Sequence, residues 1–212
     1  MKEIGKGCFI NCPKLNREEY PEIQKNFDKY LNEVVKEEHQ QQLEEWAGLK
    51  CDDVLFDSNV DNWSPHTSIF DKRIIGKKQL VFLIEDEDGE VFGYYLNTEV
   101  VRKYGLFTDQ QTDSTSFEFN LHSKNNRLKQ PMKFEIKNEY AGINLYEKSN
   151  DYLIRLGDIG LCKQDRKNES YCYQHEDWFD YHGIENALCG KVGYFLSGEH
   201  FTPKRILVIQ MI

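Results

Sequence analysis

Residues 80 to 95 limit the fold more than any other stretch of the chain. Leu80 to Ile84 and Val91 to Tyr95 are runs of aliphatic and aromatic residues, and they flank Asp86-Glu87-Asp88-Gly89-Glu90. An Asp-Gly pair between two such runs predicts an antiparallel hairpin, because Gly and Asp accept the backbone that a tight turn demands. Further strands are expected at Phe117 to Leu121, Lys133 to Lys137, Tyr152 to Leu156, Gly160 to Lys163, Ser170 to Tyr173 and Ile206 to Met211. Phe117/Phe119/Leu121 and Phe134/Ile136 alternate as strands with one buried face do. Many short strands without regularly interleaved helices favour a sandwich over a parallel α/β sheet. Thirteen Phe, twelve Tyr and three Trp in 212 residues agree, since aromatic side chains suit a pleated, buried surface. The expected class is therefore α+β, mainly β: a two-sheet antiparallel β-sandwich with short flanking helices.

The N-terminal quarter reads differently. Residues 1–15 contain Gly5, Gly7 and Pro13 and show no period, as a leader or a strap would. From Asn16 the apolar residues Tyr20, Ile23, Phe27, Tyr30, Leu31, Val34 and Val35 recur at three- and four-residue steps, which predicts an amphipathic helix ending near Gly48. Asn16 with Glu19 forms a cap pattern, and Pro21 is tolerated in a first turn. The stripe gives way to the polar run Glu37 to Gln42 after about two heptads, short of what a coiled coil needs. The helix is expected to pack on its own domain, with pairing into a homodimer as the alternative. Residues 49–212 are expected to form the sandwich, with short helices at Asn97 to Tyr104 and Ile184 to Leu188.

A net charge of −9 and a pI near 5.2 set a field that repels nucleic acid and anionic lipid. The basic groups Arg73/Lys77/Lys78, Arg166/Lys167 and Lys204/Arg205 are too short to reverse it. Lys2, Glu3 and Lys6 interrupt any secretory signal at Met1, and no stretch is long and apolar enough to span a bilayer. The six cysteines, Cys8, Cys12, Cys51, Cys162, Cys172 and Cys189, are spread thinly, as reduced thiols in a cytoplasmic protein are.

Motifs for hydrolase, nucleotide, dinucleotide and zinc-protease chemistry are absent, and no cofactor is expected. His175 and His182, near Asp177, Asp180 and Glu185, are the densest set of potential metal ligands. The neighbouring Trp178, Phe179 and Tyr181 favour an aromatic segment docked on the core with its polar residues in water. Asp57-x-Asn59-x-Asp61 places oxygens at positions one, three and five of a calcium loop. Asn62 stands where the turn needs Gly, and Ser68 where a bidentate Glu is required, so a turn bonded to backbone amides accounts better for these residues. Cys189, His182 and Asp180 are the trio that a thiol-dependent redox or hydrolytic enzyme would use, although Ala187-Leu188-Cys189 reads as a buried apolar turn.

Leu55-Phe56-Asp57-Ser58, Asp61-Asn62-Trp63, Ile75-Gly76-Lys77-Lys78 and Gly89-Glu90-Val91-Phe92-Gly93-Tyr94-Tyr95 occur in an order that resembles the first half of a TLDc domain. Phe117 to Leu121, Tyr152 to Gly157, Gly160-Leu161 and Phe201 to Met211 resemble its later strands. Residues 46–212 carry the resemblance, and Tyr181 to Lys191 and Phe201 to Arg205 are similar to small TLDc-like proteins of amoebae. Tyr94 departs from the family pattern, which has a second Gly there, and Val208-Ile209-Gln210-Met211 stands in place of Val-Glu-Val-Trp. The resemblance implies a two-sheet sandwich without an established active site, an intracellular protein-interaction role, and links to oxidative-stress resistance and to subunits of the vacuolar proton-pumping ATPase.

Overall fold

The computed structural model describes residues 29–102, 110–124, 127–138, 140–194 and 197–212. The chain is mainly β, with two antiparallel sheets and a few short helices. The strands are β1 (Cys51–Asp57), β2 (Leu80–Asp86), β3 (Val91–Leu96), β4 (Phe117–His122), β5 (Met132–Glu135), β6 (Ile143–Leu145), β7 (Tyr152–Leu156), β8 (Ile159–Cys162), β9 (Tyr171–Cys172), β10 (Gly193–Tyr194), β11 (Ser197–Gly198) and β12 (Pro203–Met211). The large sheet has six strands in the order β1-β12-β2-β3-β4-β5, so the last strand lies between the first two; β6-β7-β8-β9 form the four-stranded sheet, and β10 and β11 pair separately.

The hairpin of β2 and β3 forms as its sequence requires. Leu80 pairs with Leu96, Phe82 with Tyr94 and Ile84 with Phe92. At the turn Gly89 has φ +91°, and the Asp86 side chain accepts the Glu90 amide at 2.9 Å. Gly93 is required by close approach, since a Cβ there would stand 1.9 Å from the Phe82 carbonyl oxygen. Tyr94 is fully buried and donates its hydroxyl to the Ala141 carbonyl at 2.8 Å.

Alternation splits the six-stranded sheet into two buried faces. Phe82, Ile84, Phe92, Tyr94, Ile206 and Val208 meet Ile154, Leu156, Ile159 and Leu161 of the smaller sheet in one core. Val81, Leu83, Tyr95, Leu207 and Ile209 face outward and are covered by Leu31, Val35 and Leu43 from the N-terminal helices. The Phe117, Phe119 and Leu121 face of β4 belongs to this outer layer, and β4 turns Glu118 and Asn120 into the sandwich.

The helix expected from Asn16 to Gly48 is interrupted. Residues 29–34 are helical, Lys36 is extended at φ −62° and ψ 138°, and α1 (Glu37–Ala47) follows, ending at Gly48 with φ 67°. Tyr20, Ile23, Phe27 and residues 1–15 lie outside the described residues. The helix expected at Asn97 to Tyr104 is not found over 97–102, while 103 and 104 lie outside the described residues. Tertiary bonds take the backbone there: the Val100 amide donates to Lys77 O at 2.7 Å and the Val101 amide to Gln110 Oε1 at 2.9 Å. Residues 184–188 form turns in place of the expected helix, with His182, Gly183 and Asn186 at φ 55°, 71° and 54°. A short helix, α2 (Phe70–Ile74), packs Phe70 against Phe56 instead.

Candidate functional site

Four polar side chains from separate elements converge between the sheets. Glu118 comes from the inner face of β4 and Asp158 from the turn joining β7 to β8, and both are fully buried. His175 and Tyr181 come from the segment after β9. Tyr181 Oη lies 2.6 Å from Glu118 Oε2 and 2.7 Å from Asp158 Oδ2. The Asp158 amide donates to Glu118 Oε1 at 2.6 Å, and the His175 amide donates to Asp158 Oδ2 at 2.7 Å. The His175 ring contacts Asp158 Oδ1 through Nδ1 and stacks on Trp178 at 4.2 Å between centroids.

Local chain geometry builds this cluster. Gly157 has φ +54°, and a Cβ there would meet Glu118 Oε1 at 2.6 Å and the Phe179 ring at 2.6 Å, so only glycine lets the turn carry Asp158 up to Glu118. The Arg155 guanidinium lies 5.4 Å from the Trp178 ring and donates to the Gly157 carbonyl at 3.2 Å. Burial, followed by the charge of Asp158, holds the Glu118 carboxyl well above the usual carboxylate range. Burial and the two acids also push the Tyr181 phenol up. Chemically this is an acid cluster with one surface member, His175, whose side chain is 37% exposed.

His175 is therefore tied to the interior by Asp158, where the sequence pattern put it among polar residues facing water. Phe179 and Tyr181 are fully buried, and His182 is exposed beside Asp180 and Glu135. Cys189 does not share these neighbours. It is buried, its Sγ donates to Lys191 O at 3.4 Å, and the adjoining Cys172 thiol is pushed up by burial first and then by Cys189. The four described cysteines, Cys51, Cys162, Cys172 and Cys189, are free.

The side-chain oxygens of Asp57 and Asp61 are engaged by protein groups, and Asn59 contributes its amide to Asp57. Asp57 accepts Arg205 Nε and Nη2, Tyr30 Oη at 2.6 Å and the Asn59 amide at 2.9 Å. Asp61 accepts the Asp57 amide at 3.0 Å and Arg73 Nη2 at 3.0 Å. Among the described residues no three His, Cys, Asp or Glu side chains are placed to hold a metal ion. Of the basic residues singled out by sequence, Arg166 pairs with Asp151 and Glu169, Lys167 with Glu87 and Lys204 with Glu85.

Of the residues expected on the interaction helix, Tyr30 bonds Asp57, Leu31 is 2% exposed against the outer sheet face, and Val34 lines a depression of about 190 Å³ with Leu83, Val91 and Leu207. A larger trough of about 460 Å³ opens beside the C-terminal end of α1, walled by Trp46, Tyr95 and Phe117 and rimmed by Ser114, Lys133 and Glu135. Lys133 lies 5.4 Å over the Phe117 ring and pairs with Glu135 at 3.1 Å. No helix among the described residues is long and apolar enough to cross a membrane. No protein-family model matches the chain, and no curated protein gives a significant match.

Proposed function

We propose that this chain is a non-catalytic protein-interaction module of the TLDc type, acting in the cytoplasm. The observation that carries the reading is the trough of Trp46, Tyr95 and Phe117 on the outer face of the six-stranded sheet. Aromatic walls inside a polar rim are the composition of protein-recognition surfaces, where a few ring contacts dominate binding. The occupant is a protein segment that lays an apolar side chain against Trp46 in the trough and meets Lys133 and Glu135 at the rim. The resemblance of residues 46–212 to TLDc domains makes subunits of the vacuolar proton-pumping ATPase the first partner class to test, and with it a part in oxidative-stress resistance.

Two other readings have less support. Leu31 and Val35 are buried against the chain's own sheet, which argues against a scaffold assembled by helix pairing. Cys189 and His182 have separate neighbours, which argues against a thiol enzyme built on them. The test is capture of purified proton-pump subunits by the intact protein and by its Trp46→Ala and Lys133→Glu variants. Retention by the wild type and its loss in Trp46→Ala supports the reading; equal retention by all three removes the trough, and no retention by the wild type removes the partner class.

A further inference from the structure

Tyr181 stands between two buried carboxyl groups with one proton to give. Its Oη is 2.6 Å from Glu118 Oε2 and 2.7 Å from Asp158 Oδ2, yet a phenol donates only once. Both contacts are hydrogen bonds only if one carboxyl carries a proton of its own. The surrounding donors decide which. Asp158 receives the His175 amide on Oδ2 and, with Nδ1 protonated, the His175 ring on Oδ1, whereas among the described residues Glu118 receives, besides its contact with Tyr181, the Asp158 amide alone, on Oε1. The extra proton therefore belongs on Glu118 Oε2, which donates to Tyr181 Oη, which donates in turn to Asp158 Oδ2. His175 closes the line with Nδ1–H on Asp158, and its exposed ring meets water.

The same residues hold a strap. Residues 173–182 run from β9 across the edge of the six-stranded sheet. The Tyr173 amide donates to Asp158 O at 2.7 Å, the Lys137 amide to Trp178 O at 2.8 Å and the Asp180 amide to Glu135 O at 2.9 Å, and Phe179 bridges to Ile136. The strap thus pairs with the end of β5 and the two residues after it, at the edge of that sheet, where the backbone would otherwise be open to pairing. Phe179 and Tyr181 are also part of the cover over Glu118.

We propose that Glu118, Tyr181, Asp158 and His175 form a proton relay from the interior to the surface, and that loss of its buried proton releases the strap from β5. The other titratable or charged groups facing the relay are Arg155 on β7, whose charge favours ionised Glu118, Tyr94 on β3 and Cys172 on β9. Burial opposes the ionised form of Glu118 more strongly than any other influence, and the charge of Asp158 adds to it. The sign follows. Glu118 is protonated in the closed state and ionises in water once the strap lifts, so opening releases a proton between the ordinary Glu value and the raised one. The latch is complete in acid and weakens as pH rises through that window.

Hydrogen exchange at the Lys137 and Asp180 amides of the intact protein tests the relay, with intrinsic exchange rates divided out. Across the window between the ordinary Glu range and the raised value the wild-type opening equilibrium is expected to grow by up to about tenfold per pH unit. In Glu118→Gln, whose amide supplies a permanent donor to Tyr181, it is expected to stay flat. A flat wild type, or an equal slope in the variant, overturns the proposal. Infrared spectra of the wild type keep the test independent of the variant's folding. A protonated-carboxyl carbonyl band that persists above the ordinary Glu range and fades together with strap protection as pH rises supports the relay, and its absence above that range overturns it.

Discussion

Arg205 in β12 grips Asp57 at the end of β1 with two nitrogens, Nε at 3.1 Å from Oδ1 and Nη2 at 2.5 Å from Oδ2. Asp57 has no exposed surface. Burial alone would raise its carboxyl, but hydrogen bonds from Arg205, Tyr30 and the Asn59 amide outweigh burial and hold it below the usual carboxylate range. Arg205→Ala leaves a buried carboxylate without its fork and should cost about 3–5 kcal/mol. Arg205→Lys should recover only part, because an ammonium cannot make both contacts in one plane. Urea denaturation measures both. Because the Asp57 value is lowered on folding, its stabilisation is present above the ordinary Asp range and is lost as pH falls through the lowered value. Asp57→Asn should flatten that acid limb.

The Tyr30 hydroxyl donates to the same carboxylate at 2.6 Å and fastens residues 29–34 to the sheet. Tyr30→Phe should cost about 1.5–3 kcal/mol, the range for a hydrogen bond to a charged group. Leu31→Ala, at a site 2% exposed, should cost about 2–3 kcal/mol. Unfolding midpoints measured at two protein concentrations should coincide for the wild type and both variants. A midpoint that rises with concentration would instead show the helix pairing between copies.

The hairpin was legible because its turn chemistry and its apolar runs are local, and Gly93 can be tested on its own. Gly93→Ala would force a methyl group to 1.9 Å from the Phe82 carbonyl oxygen and 2.8 Å from the Phe119 ring. Backbone cannot yield by that much without breaking the pairing of β2 with β3. Loss of about 3 kcal/mol or more, or failure to fold, is expected by circular dichroism and thermal melting.

The facing of β4 was not legible in the same way. Phe117, Phe119 and Leu121 mark a buried face, but period two cannot say which of two covered faces is the sandwich interior. The helix layer takes the aromatic side, so Glu118 and Asn120 go inward, against the usual composition of a core. The acid cluster was hidden for a related reason. Its members at 118, 158, 175 and 181 are joined by tertiary packing, and only the polar Glu118 within an apolar strand and Asp158 between Gly157 and Gly160 mark it in the sequence. The expected helices are not found over 97–102 and 184–188, where backbone amides found distant acceptors or residues took positive φ.

Gly157→Ala tests how closely the turn and the cluster are fitted. The added methyl group would meet Glu118 Oε1 and Phe179 and occupy φ +54°, so steric conflict adds to backbone strain. A loss of about 2–4 kcal/mol is expected. In Glu118→Ala the carboxyl partner of that clash is gone, so the penalty for Gly157→Ala in that background should shrink. A double-mutant cycle measured by denaturant melts would show it as a coupling of at least about 0.5 kcal/mol.

Lys163 is a buried cation that stands apart from the relay. It is 1% exposed, and its ammonium donates to the carbonyls of Glu147 at 2.9 Å, Lys148 at 2.8 Å and Asn150, so it closes the loop before β7. Burial lowers its pKa, with the charges of Asp151, Asp165 and Asp71 pulling the other way. Between the lowered value and the ordinary Lys value the unfolded chain binds more protons, so this group makes stability rise with pH across that window. Lys163→Met removes both the alkaline dependence and the donors. The variant should lose about 1–3 kcal/mol at neutral pH, because three carbonyls lose their charged donor. Limited proteolysis should then cut between residues 147 and 151 at concentrations of protease that leave the wild type whole. Equal resistance in the two proteins would mean that the loop is held by its backbone bonds, such as Asn150 N to Glu147 O at 3.0 Å, and not by the lysine.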